Sequence, residues 1–280
     1  MGYTSWATIV DHGRAAKQRG DTITMSAQRP IPADLRVLAV DDHPVNRAFL
    51  RAVLKPQVGA LRLANSGIAA IERCTTERFD LILLDLHMPD LDGFSTWQRI
   101  CEVHPAPLPV AVALTADHRE EAMQRARDVG FRGYVGKPVS PDALLATLPR
   151  ILDGHSVFET AGTSSRNAPA LLDDARALRA LGSADRLDTM RRTFGDELRD
   201  GLDALDRDVL HDASAAGDRL HQWIGAAGYV GAERLAIAAT ELRQALSQRE
   251  PDALSAALLK LRRSADATLA AFDVRASGSA

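Results

Sequence analysis

From Leu35 onward the chain alternates short apolar runs with longer stretches whose apolar residues fall three and four apart. The order is RVLAVD, then residues 44–55, ALRLA, then 67–75, DLILLD, then 93–104, PVAVAL, then 117–129, GYVG, then 141–152. Runs that are apolar throughout belong to strands buried on both faces, and the stretches between them predict helices. Five such units in succession predict an α/β domain over residues 34–153, doubly wound around a five-stranded parallel sheet. Local chemistry agrees: Pro44 and Pro141 fall in first turns, where a missing amide costs nothing, and Ser140 precedes the second as an N-cap.

After Asp153 the pattern changes. The stretch GHSVFETAGTSSRNAPA has no amphipathic face and predicts a linker over residues 154–170. Beyond it Leu187, Met190, Phe194, Leu198, Leu202, Leu205 and Val209 recur at helical spacing, which predicts one long amphipathic helix. Two further stripes follow, from Leu235 to Leu246 and from Leu254 to Phe272, with Pro251 early in the last helix. The second domain is therefore expected to be an all-α antiparallel helical bundle over residues 171–274. Residues 1–33 lack any sustained period and predict a flexible leader; residues 275–280 predict a disordered tail.

A length of 280 residues suits two domains. The formal net charge of -3 supplies no global basic field, and the C-terminal helices include no basic recognition helix, so nucleic acid is not an expected partner. Cys74 and Cys101 lie too far apart for a Cys-x-x-Cys motif and are expected as reduced residues of the core. With no apolar run of about 18 residues and no basic segment leading into an apolar one, neither a membrane span nor a secretory signal is expected. A soluble, cytoplasmic chain is the expectation.

In open parallel sheets ligands bind beyond the carboxyl ends of the strands. Those ends carry the chemistry here: Asp41 and Asp42 after the first strand, Asp85 after the third, Thr115 after the fourth and Lys137 after the fifth. Three clustered carboxylates repel one another and call for a cation, and a hard divalent ion such as Mg²⁺ is the natural one. A carboxylate beside Mg²⁺ and an ammonium can attack a phosphoryl group in line, which makes Asp85 the candidate nucleophile.

The segments VDDHPVNR, LLDLHMPDLDG, ALTA and YVGKP resemble those of the response-regulator receiver family, especially receivers attached to hybrid sensor kinases. The resemblance implies flavodoxin-like strand order, phosphorylation of Asp85, and Mg²⁺ held by Asp41, Asp42, Asp85 and the backbone carbonyl of His87. It further implies that Thr115 hydrogen-bonds the phosphoryl oxygens, that Lys137 pairs with them, and that the Lys137–Pro138 bond is cis. Tyr134 matches the family's switch aromatic, Ala116 is small enough to leave the phosphoryl group open, and His87 and Asp117 stand where the family tunes the lifetime of the phosphate. An upstream sensor histidine kinase is the implied partner.

In the helical part, LHQWIGAAGYVGA over residues 220–232 resembles the active helix of histidine phosphotransfer (HPt) domains. Gly225 and Gly228 lie on the helical face of His221, and glycine inside a helix costs about 1 kcal/mol relative to alanine, so close approach by another surface is expected there. A receiver docking at His221 is that expected surface, either a downstream response regulator receiver or the chain's own. A flexible linker of roughly 17 residues spans about 20–25 Å on average and lets the two domains meet within one chain. His221 is accordingly expected to be at least half exposed at mid-helix, with both glycines uncovered. Ile224 departs from the family, which carries lysine there, and Ile224→Lys is expected to quicken transfer. His211 is a weaker candidate near the end of the long helix. Two readings stay open: a relay through His221, or a receiver switch whose degenerate helical domain is a protein-binding module. No segment resembles an ATP-binding kinase domain, so a phosphoryl acceptor and transfer protein is expected rather than a kinase.

Overall fold

The structure, a computed structural model, describes residues 31–117, 119–159, 169–248 and 250–278. Residues 1–30 of the expected leader and 160–168 of the expected linker lie outside them. The α/β part runs β1 (Arg36–Val40), α1 (Pro44–Leu54), β2 (Ala60–Ala64), α2 (Gly67–Thr76), β3 (Leu81–Asp85), α3 (Gly93–Val103), β4 (Val110–Thr115), α4 (Glu120–Asp128), β5 (Gly133–Gly136) and α5 (Pro141–Leu152). Every strand pair is parallel, and these five strands run in the order β2-β1-β3-β4-β5. β3 is buried along its whole length, as its uninterrupted apolar run requires. Side chains start the helices: His43, Ser66, Asp92 and Ser140 each accept a backbone amide of the first turn of α1, α2, α3 and α5.

The sheet has six strands, not five. β6 (Val157–Glu159) lies inside the segment expected as linker and pairs with β5, Gly133 opposite Val157 and Tyr134 opposite Phe158. Val157 is buried, the Phe158 ring stacks on Tyr134 with centroids 6.4 Å apart, and the Arg127 guanidinium covers it from outside. Three residues between GHS and TAGTSS are too few to show a period.

The helical part comprises α6 (Asp174–Leu181), α7 (Ala184–His211), α8 (Ala213–Tyr229), α9 (Glu233–Gln248) and α10 (Pro251–Gly278). α7 packs on α8, α8 on α9, α9 on α10, and α10 returns to α7. Buried Arg191 pins this arrangement, donating to the Val230 carbonyl at the end of α8 and to Asp174 at 2.6 Å. Residues 275–278 of the expected disordered tail are the last turn of α10 instead. An ion pair, Arg275 to Asp174 at 2.7 Å, holds that turn where no apolar stripe marks it. Cys74 is buried, Cys101 only half-buried, and both are free. Among the described residues no helix is long and apolar enough to cross a membrane.

The two parts share one continuous apolar core. α8 lies across the carboxyl edge of the sheet. The Phe49 ring of α1 stacks on Tyr229 with centroids 3.9 Å apart, and Gly228 sits directly on the Pro138 ring. A Cβ at Gly228 would overlap that ring. Gly228→Ala should therefore open the joint while leaving α8 intact, because alanine favours the helix by about 1 kcal/mol. Unchanged far-ultraviolet circular dichroism together with faster amide hydrogen exchange in α1 and in the loop after β3 is the expected result. Unchanged exchange would mean that the joint absorbs the methyl group.

Candidate active site

The five residues at the strand ends converge. Lys137 Nζ donates to Asp41 Oδ2 and to Asp85 Oδ2, each at 2.6 Å. Asp41 Oδ1 also accepts the His43 amide at 2.9 Å and Asn46 Nδ2 at 3.0 Å, while Asp85 Oδ1 accepts the His87 amide at 3.1 Å. Glycine at 93 lets α3 begin against the Asp85 carbonyl, where a Cβ would collide, and its amide donates to Leu86 O at 3.0 Å. Thr115 Oγ1 accepts the Asp117 amide at 3.1 Å and lies 3.4 Å from His87 Nδ1. Tyr134 is turned inward and fully buried, its hydroxyl donating to the Asp117 carbonyl at 2.6 Å. The Lys137–Pro138 bond is cis.

The charges are unequal. Burial disfavours the Lys137 ammonium, but Asp41 and Asp85 outweigh it and hold the amine charged well above its usual range. Burial likewise opposes the Asp85 carboxylate, and Lys137 and His221 outweigh it, leaving Asp85 well below the usual carboxylate range. At Asp42 the balance reverses: burial, then Asp85, then Asp41 push it up to about 6, and the weaker opposing effects of Gln222 and Lys137 do not offset them. Among the described residues its Oδ1 is buried without a hydrogen-bond partner, and oxygens of Asp41, Asp42 and Asp85 lie within 4.8 Å of one another. This oxygen-rich, cation-deficient cluster fits a hard divalent ion such as Mg²⁺.

α8 closes the site from above. His221 is only 4% exposed, contrary to the expectation of a half-exposed ring, because the α/β part itself covers it. Its Nε2 faces Asp85 Oδ1 at 3.8 Å, its ring lies 4.2 Å from that of His87, and its Nδ1 lies 2.9 Å from Arg243 Nη1. Arg243 Nη2 donates to the Ala116 carbonyl at 2.9 Å, and Gln222 Nε2 donates to Asp42 Oδ2. Gly225 and Gly228 are covered as well, by Asn46, Lys137 and Pro138. Asp85, His87 and His221 also bring ligand atoms within 4.8 Å of one another. A metal-bound imidazole, however, turns its second nitrogen to an acceptor, and that of His221 faces a guanidinium.

Ile224 is buried in the shared apolar core, so a lysine there would bury a charge rather than assist transfer, which corrects the expectation for Ile224→Lys. His211 is exposed at the end of α7. Gln222 and Arg243 were not legible as site residues. Gln222 adjoins His221 within the quoted motif, whereas Arg243 is a polar neighbour of Leu242 on another helix, with no signal of its own.

Residues 37–149 match the family model of the response regulator receiver domain. The chain is 30% identical over 209 residues to the signal transduction histidine-protein kinase BarA of Escherichia coli K12, covering 72% of this chain and 23% of that protein. It is 31% identical over 250 residues to the sensor histidine kinase GacS of Pseudomonas protegens, covering 83% of this chain and 26% of that one. Among solved structures, it is similar to the receiver domain of a sensor histidine kinase from Pseudomonas aeruginosa PAO1 with a magnesium ion in its active-site cleft. That likeness has 28% identity and a TM-score of 0.40, over 44% of this chain and 100% of the other. The chain thus spans about a quarter of the length of these two curated relatives.

The raised Asp42 carboxyl gives a test of the cluster's electrostatics. Between its usual 3.8 and about 6, the folded chain keeps a proton that the unfolded chain has released. Stability without metal should therefore fall as pH rises through that window and change little from this group above it. Urea unfolding in a chelator, from about pH 4.5 to about pH 7.5, should show a smaller fall for Asp42→Asn, and added Mg²⁺ should reduce it in the unsubstituted chain. Identical pH slopes for the two proteins would contradict the assignment.

Proposed function

Because residues 37–149 are a response regulator receiver domain of a two-component system, we propose that the chain is a phosphorelay protein that carries phosphoryl groups on Asp85 and His221. One observation carries this reading: His221 Nε2 faces Asp85 Oδ1 at 3.8 Å across the joint, with both side chains buried. One phosphorus atom, partly bonded to each, would bridge that gap in an in-line transfer. Asp85 Oδ1 attacks the phosphorus of a phosphoimidazole, the P–N bond breaks, and the ring takes the electron pair. In reverse the ring nitrogen attacks the aspartyl phosphate and the carboxylate leaves.

Lys137 neutralises Asp85 and the oxygens in flight, and Thr115 Oγ1 stands ready to donate to one of them. Asp41, Asp42, Asp85 and the His87 carbonyl would hold Mg²⁺. When bound, the ion neutralises charge on the transferring oxygens. The inward Tyr134 would report the state of the loop after β4. The helical part serves as an HPt-like domain, its helices joined by short turns as in an antiparallel bundle. A sensor histidine kinase would supply the phosphoryl group, and a downstream receiver would reach His221 after α8 lifts from its own receiver.

Mg²⁺ and a small phosphodonor should label the full chain on Asp85, and Asp85→Asn should abolish that label. With a donor kinase, acid-labile label should appear on His221 and pass to a partner receiver. His221→Gln should stop that passage and leave Asp85 labelling intact. Acid-stable label persisting in Asp85→Asn would refute the acceptor assignment. Equal passage from His221→Gln and the unsubstituted chain would leave the helical domain as a binding module.

A further inference from the structure

We infer that Arg243 is a positioning residue that disarms His221 in the docked form by fixing its tautomer, so that transfer across the joint requires this contact to break. The inference rests on the relay reading of His221. A guanidinium has donors only, so at 2.9 Å from Arg243 Nη1 the His221 Nδ1 must be the acceptor. The neutral ring then carries its proton on Nε2, the nitrogen that faces Asp85 Oδ1 at 3.8 Å. That nitrogen is buried and has no hydrogen-bond partner among the described residues.

A ring nitrogen that bears hydrogen has no in-plane lone pair to offer phosphorus. Attack by Nε2 on an aspartyl phosphate therefore needs the proton moved to Nδ1, the position Arg243 excludes. The reverse step meets the same obstacle. With a phosphoryl group on Nε2, breaking the P–N bond returns an electron pair to the ring. If Nδ1 is protonated, the ring leaves as neutral imidazole. If Nδ1 only accepts from Arg243, the ring must leave as imidazolate, a far more basic and slower leaving group.

The same guanidinium reaches the receiver. Arg243 Nη2 donates to the Ala116 carbonyl, one residue after Thr115, so one side chain of α9 ties the histidine to the loop that closes the phosphorylation site. Displacement of that carbonyl loosens the grip on Nδ1. The docked arrangement is thus a resting state, and release of Arg243 arms it.

The test uses the full chain with ¹⁵N-labelled histidine, unsubstituted and as Arg243→Met and Arg243→Lys. Methionine keeps most of the aliphatic stem's packing without a donor, and lysine keeps a donor. The NMR shifts should place the proton of His221 on Nε2 in the unsubstituted chain and in Arg243→Lys, and move it at least in part to Nδ1 in Arg243→Met. After loading His221 with phosphoramidate in a chelator and removing the excess donor, single-turnover transfer to Asp85 started by Mg²⁺ should be about tenfold faster in Arg243→Met, while Arg243→Lys stays near the unsubstituted rate. Equal or slower transfer in Arg243→Met, with hydrogen exchange across the joint unchanged, would overturn the role, as would a proton found on Nδ1 in the unsubstituted chain. Label absent from His221 in every protein would instead overturn the relay reading, and this role with it, whatever tautomer the spectra show.

Discussion

One ammonium shared between two carboxylates organises the carboxyl edge of the sheet. Lys137, Asp41 and Asp85 are all buried, and taking such charges out of water costs several kcal/mol per ion unless partners replace the solvent. Each of the three is replaced by the others, so the ends of β1, β3 and β5 are fixed relative to one another. The arrangement is still unbalanced, because Asp42 adds a third carboxylate that forms no ion pair among the described residues. That residual negative charge prepares the site for a divalent ion. Packing alone would not give the site this property. It follows from placing three acids and one base at the same edge.

The helical part uses the same edge as its docking surface. Gly225 and Gly228 allow α8 to settle against Asn46, Lys137 and Pro138, and the stacking of Tyr229 on Phe49 extends the core across the joint. Docking within one chain has the advantage of high effective concentration over any partner in solution. A partner that needs Asp85 or His221 uncovered binds only the open fraction, and its apparent affinity falls by that fraction. The joint therefore couples access and chemistry: the contacts that bring histidine and aspartate together also exclude other proteins from both.

The strands and the acidic cluster were legible because their signals are local. An apolar run marks a buried strand, and carboxylates at successive strand ends must meet once the sheet forms. β6 was not legible, since three residues carry no period, nor was the last turn of α10, which an ion pair holds in place of an apolar stripe. The seam of glycines on α8 correctly marked a close approach. A small-residue face with a linker long enough to bring the two domains together pointed to a receiver surface, and the surface is the chain's own, at Asn46, Lys137 and Pro138. The burial of His221 follows from that, and is burial at a joint rather than in the heart of the bundle.

The cation beside the histidine shows how a change of position can reverse an effect. Where the HPt resemblance calls for lysine, Ile224 joins the apolar core, and the positive charge near His221 comes from Arg243 on α9. A cation placed on the side of the transferring oxygens would stabilise them. A guanidinium at Nδ1 instead occupies the lone pair of the nitrogen that does not face Asp85, and so commits the facing nitrogen to carrying hydrogen. The charge is similar but its consequence is opposite, since assistance to the phosphoryl group gives way to restraint of the ring. Because the restraint also grips the Ala116 carbonyl, its strength depends on the conformation of the receiver loop. The receiver can then govern its own histidine through one side chain.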